Sequence, residues 1–138
     1  MREKAVSRGL GIASFIGAGL LSVAAASAVE GPQDCARLPA LALDGAKIIS
    51  AKEMPAGSYT QPDEGSGPHT FNGLPAFCEV KGIATPTPQS HIGFTVWLPQ
   101  AGNWSHRLHM VGNGGYGSNL YYAQLVARVQ HGDVAVAT

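Results

Sequence analysis

A glycine-rich corner between a short apolar strand and an amphipathic helix constrains this chain more than any other feature. Arg107 to Val111 reads as a strand that stops in Gly112-Asn113-Gly114-Gly115-Tyr116-Gly117. Ser118 can cap a helix from Asn119 to about Gln130, in which Tyr122, Leu125, Val126 and Val129 fall at i, i+3, i+4 spacing and make one apolar face. Gly132 suits the left-handed residue that follows a helix, and Asp133 to Ala137 reads as another apolar strand. Two strands joined through a helix cannot form a hairpin. The unit, about 30 residues long, therefore predicts a parallel pair.

Upstream the periodicity changes. In His91 to Leu98, Ile92, Phe94, Val96 and Leu98 alternate with Gly93, Thr95 and Trp97, a period of two. Ala76 to Ala84 places Cys78 and Val80 on one face and Glu79 and Lys81 on the other, and Ala46 to Ala51 reads as a shorter strand. Residues 29–45 are turn-rich, and Pro55 to Pro75, dominated by Gly, Ser, Pro and Asp, reads as an exposed loop. The alternation predicts antiparallel strands with one face in water. The fold class is therefore α/β, with a sheet that begins antiparallel and turns parallel. That order matches the N-terminal part of an α/β-hydrolase fold, left incomplete because such a sheet needs further parallel strands and covering helices.

Three basic residues (Arg2, Lys4 and Arg8) precede an uncharged stretch from Gly9 to Ala28, which ends in Ala26-Ser27-Ala28. A basic start, a short apolar centre diluted by small residues and an A-x-A exit predict a signal peptide over residues 1–28. Residues 29–138 are then the N-terminal fragment of a catalytic domain, secreted or periplasmic, with no membrane association after cleavage. This mature part carries six Lys/Arg against eight Asp/Glu, and no basic cluster of the kind a nucleic-acid partner requires. The chain as a whole is 45% hydrophobic and 13% charged, the composition of a packed domain. Cys35 and Cys78 are an even pair in an oxidising compartment, which predicts a disulfide. By chain-entropy reasoning, closing a loop of about 44 residues is worth about 4 kcal/mol. Two buried thiols, or pairing with cysteines outside this chain, are the alternatives.

The glycine corner permits three readings. Successive glycines at a helix start let backbone N–H groups turn toward a ligand, as in the oxyanion loop of serine hydrolases. Asn-Gly is also a strong turn signal. A nucleotide loop lacks support, since neither the Lys-Ser/Thr of a P-loop nor an acidic residue at dinucleotide spacing is present. His106 and His109 lie three apart on a strand and face opposite sides, so they do not read as a metal pair. His69 and His131 fall in a loop and at a helix end, and nothing in the sequence pairs Asp133 with a histidine. Trp97, Trp104 and Tyr116 could together hold an aromatic ligand in a non-catalytic exported module, though packing is the commoner use of such rings. No Gly-x-Ser-x-Gly occurs, so the chain shows no nucleophile elbow. No metal or other cofactor is called for.

Three ordered blocks resemble the tannase/feruloyl esterase family. They are Leu74-Pro75-Ala76-Phe77-Cys78-Glu79-Val80; Thr85-Pro86-Thr87-Pro88-Gln89-Ser90-His91-Ile92, running on to Phe94-Thr95-Val96-Trp97-Leu98-Pro99; and Val111-Gly112-Asn113-Gly114-Gly115-Tyr116. With Cys35 and the closing Gly132-Asp133-Val134-Ala135-Val136-Ala137-Thr138, the likeness covers nearly all of the mature chain. The resemblance implies a secreted serine esterase whose partner is a small aromatic ester of the galloyl or feruloyl type. It implies Gly114 or Gly115 in the oxyanion region and Cys35 and Cys78 as a structural disulfide. The family's Trp-Asn-Gly turn is replaced here by Trp104-Ser105-His106. The family's nucleophile, aspartate, histidine and lid have no counterpart up to Thr138, so the chain is expected to be part of a longer esterase and inactive alone.

Overall fold

The structure, a computed structural model, describes residues 32–63, 67–112, 117 and 119–138. The residues assigned to the signal peptide lie outside this set. A 3-10 segment, Pro32–Ala40, leads into strands β1 (Ala46–Met54), β2 (Gly57–Thr60), β3 (Thr70–Leu74), β4 (Phe77–Ala84) and β5 (Ile92–Pro99). A 3-10 turn at Ala101–Asn103, strand β6 (Leu108–Val111), helix α1 (Tyr122–Gln130) and strand β7 (Val134–Ala137) follow. A mixed five-stranded sheet has the order β1-β4-β5-β7-β6, and β2 and β3 form a separate two-stranded sheet. β1, β4, β5 and β7 pair antiparallel in turn, while β6 runs parallel to β7. The crossover predicted from the last strands and helix is present.

Three expectations need correction. Helix α1 begins at Tyr122 rather than Asn119, because Tyr121 takes a left-handed conformation (φ 48°) that a continuing helix cannot contain. The Tyr121 carbonyl accepts from the amides of Gln124 and Leu125 and so opens the helix itself. At the other end Gly132 (φ 79°) closes it as expected, donating to Val129 O while the Asp133 amide donates to Arg128 O.

The second correction is that the supposed loop at Pro55 to Pro75 holds the β2–β3 hairpin. Its strands are too short and too polar to show a period, and tertiary burial of Tyr59 and Leu74 fixes them. The third concerns the wet face. Phe77 and Trp97 of β4 and β5 face α1 and the hairpin, together with Val111, Ala135 and Ala137. Cys78, Val80, Val96 and Leu98 face the other way, beneath Cys35 and Leu38 of the 3-10 segment. Both faces of the central strands are therefore covered. Thr95 and Trp97 are the more deeply buried side of β5, whereas Ile92 of its apolar series is exposed. β1 also runs on to Met54, paired with Phe77, with a register shift between Ile48 and Ser50 beside the exposed Ile49.

The Cys35–Cys78 disulfide is present, with Cα atoms 5.9 Å apart, and pins the 3-10 segment to β4. Nearby in the same strand, a Cβ at Gly82 would lie 2.2 Å from the Phe94 ring and 2.8 Å from the Lys47 carbonyl. The ring could shift, but the β1 backbone could not do so cheaply. Gly82→Ala is expected to cost about 1–3 kcal/mol in chemical denaturation. Gly93→Ala in the adjacent strand, where a Cβ meets nothing within 4 Å, should be close to neutral.

Candidate functional site

Strand β6 delivers the chain to Gly112 at the same end of the sheet as the start of α1, which is the context an oxyanion corner requires. Gly112 is exposed, and a Cβ there would meet nothing within 4 Å. Gly114 and Gly115, with Asn113 and Tyr116, lie outside the described residues. α1 has no acidic side chain in its first turn and no side-chain cap, so no carboxylate of that turn competes for the positive end of its dipole.

The structure supplies a pairing that sequence spacing did not show. Asp133, almost fully buried between α1 and β7, accepts a 2.5 Å hydrogen bond from Ser105 Oγ on Oδ1, and His109 Nε2 lies 3.3 Å from its Oδ2. His109 sits opposite Ala135 in the parallel register, which carries its ring toward the residue preceding β7. Only that register brings the two together. The order is serine–aspartate–histidine, with the carboxylate in the middle. A nucleophilic arrangement needs the histidine between serine and carboxylate, so this is not a catalytic triad. His106 turns away, with φ 62° and its ring stacked 4.5 Å from Trp104. The two histidines thus lie in different surroundings, and among the described residues no three His, Cys, Asp or Glu side chains gather as metal ligands.

A second buried polar pair joins the hairpin to the sheet. Tyr59 donates a 2.6 Å hydrogen bond to Glu79 Oε1, and Lys81 Nζ lies 3.6 Å from the other carboxylate oxygen. Burial, and then the acceptor Glu79, push the Tyr59 phenol well above its ordinary range, so it remains a proton donor. The pair is structural. It lies within an aromatic cluster in which Trp97, with no exposed surface, stands 4.7 Å from Tyr59, 4.5 Å from Phe77 and 6.2 Å from Tyr122. Trp97 is therefore a core residue, and the trio of Trp97, Trp104 and Tyr116 does not form an aromatic ligand site. Trp104 is 45% exposed and separate from this cluster, and Tyr116 lies outside the described residues.

An apolar cavity of ≈ 510 Å³ is bounded by Cys35, Leu38, Met54, Leu98, Trp104 and Val134. Val134 begins β7, whereas Gly112 follows Val111, which pairs with Ala137 at the strand's other end. The cavity and the glycine corner therefore occupy opposite ends of the sheet.

No protein-family model matches the chain. It is 41% identical over 119 residues to an uncharacterized esterase of Xanthomonas campestris pv. campestris, a match covering 86% of this chain and 19% of that protein. Feruloyl esterase B from Aspergillus oryzae shares the fold with a TM-score of 0.65 and 26% identity, over 76% of this chain and 21% of its own. Another esterase from Aspergillus oryzae has the same TM-score at 21% identity and shows the fold alone. The chain thus spans about a fifth of the length of the relatives it matches. It is related to esterases and shares with them a mixed sheet. Its likeness to the tannase/feruloyl esterase family, read from three sequence blocks, extends to a solved feruloyl esterase.

The Asp133 carboxyl is held below the usual carboxylate range, first by the Ser105 hydrogen bond and then by the charges of His109, Arg107 and Arg128, against an opposing effect of burial. A depressed folded-state pKa contributes stability above the unfolded value, about 3.9, and that contribution is lost as pH falls through the folded value. Asp133→Asn is therefore expected to lower Tm at pH 7. The gap to the wild type should shrink steadily below about pH 4 when both are melted across a pH series.

Proposed function

We propose that this chain forms part of a secreted or periplasmic serine esterase acting on aromatic carboxylic esters of the galloyl or feruloyl type. The observation that carries the reading is the 41% identity to an esterase across nearly the whole mature sequence. The shared fold with feruloyl esterase B adds to it. In this reading the strands are the N-terminal portion of an α/β-hydrolase sheet, entered after removal of residues 1–28. The order β5-β7-β6, with β7 inserted between its antiparallel and parallel neighbours, supports that assignment.

The mechanism assigns a limited part to this chain. A serine elsewhere in the polypeptide attacks the ester carbonyl, a histidine takes its proton, and negative charge develops on the carbonyl oxygen. Backbone amides of Gly114 or Gly115 donate to that oxygen. Glycine suits the task because no Cβ obstructs the approach of the substrate. The acyl group passes to the serine and then to water, a sequence that uses only protein groups and calls for no cofactor. The disulfide supports export, being of a kind retained in oxidising compartments.

Two results test the reading. The purified chain should not turn over methyl ferulate or methyl gallate; turnover that disappears when one of its own serines is replaced would contradict the assignment. In the complete esterase, replacing Gly114 or Gly115 by proline removes one amide donor. The replacement that removes the oxyanion donor should lower kcat about 10²- to 10³-fold, with a smaller change in KM.

A further inference from the structure

Strand β6 is the weakest-held part of the sheet. It has four residues and pairs, among the described residues, on one side only. Leu108 and Met110 are 65% and 66% exposed, and Val111 alone of its side chains reaches the core. Strand burial therefore does little to keep it in place. A network at its beginning does more: the Ser105 amide donates to Gly132 O at 2.9 Å, and the Val134 amide donates to Arg107 O at 2.9 Å. Asp133 reinforces both links by engaging Ser105 with one carboxylate oxygen and His109 with the other. Arg107 and Arg128 also face this carboxylate. None of these groups belongs to the cluster around Trp97 that holds α1 and the hairpin.

We propose that the Asp133 carboxylate is a clasp that sets the local stability of β6, so that β6 opens as a unit separate from β1, β4 and β5. β6 ends at Gly112, so the clasp also governs how firmly the glycine corner is presented. It does so whether or not that corner binds an oxyanion. One buried carboxylate tying two points of an otherwise exposed strand is the arrangement expected of a low-stability unit with a single dominant constraint.

Amide hydrogen exchange on the full chain tests this. Asp133→Asn should speed exchange of the β6 amides bonded to β7 by about tenfold or more, while amides of β4 paired to β1 and β5 keep their rates. Ser105→Ala removes one of the two ties and should give the same pattern with a smaller change. It carries the test if Asp133→Asn fails to fold. Equal acceleration across all strands, or no change in β6, would overturn the proposal. Neither outcome depends on esterase activity.

Discussion

The packing of Trp97 is the contact on which the remaining structure closes. Its ring lies between Tyr59 from the hairpin, Phe77 from the neighbouring strand and Tyr122 from the first turn of α1. Three elements distant in sequence thus share one buried surface. Without it the helix has no floor, and without the helix the chain cannot cross from β6 to β7 and run parallel. Burying an aromatic ring of this size removes on the order of 200 Å² from water. The geometry of the β6 corner therefore depends on a residue at the centre of β5.

The legible parts of the fold were those with local causes. The period of two in Ile92 to Leu98 and the 3.6 period in Tyr122 to Val129 each reflect one element meeting one surface. Gly132 was legible because a left-handed helix end requires little else. The hairpin was hidden because Gly57 and Gly73 read as loop residues, and its strands exist through the burial of Tyr59 and Leu74. The same limit applied to Glu79. Alternation placed it opposite Cys78 correctly, but only the hairpin above it shows that it is buried and bonded to Tyr59.

The candidate site divides along the same line. The glycine corner could be recognised from composition and position, because glycines between a strand and a helix have few uses. The pairing of Asp133 with His109 could not, since it follows from the parallel register of β6 and β7. The pairing arises at the beginning of those strands, while the glycine corner leaves from the end of β6. Parallel strands thus separate two tasks, with anchoring at one end of β6 and presentation of backbone amides at the other. The apolar cavity lies at the anchoring end, which explains why the largest concavity is not where ester chemistry is proposed.

The central claim is that the corner after β6 was shaped to hold a developing oxyanion. A crystal structure of the complete esterase inactivated by an aryl phosphonate, which fixes a tetrahedral oxyanion on the nucleophilic serine, tests it most directly. The account predicts the phosphonyl oxygen at about 2.7–3.1 Å from the amide nitrogen of Gly114 or Gly115. An oxygen held by other donors, with both glycine amides turned away from it, would contradict the claim.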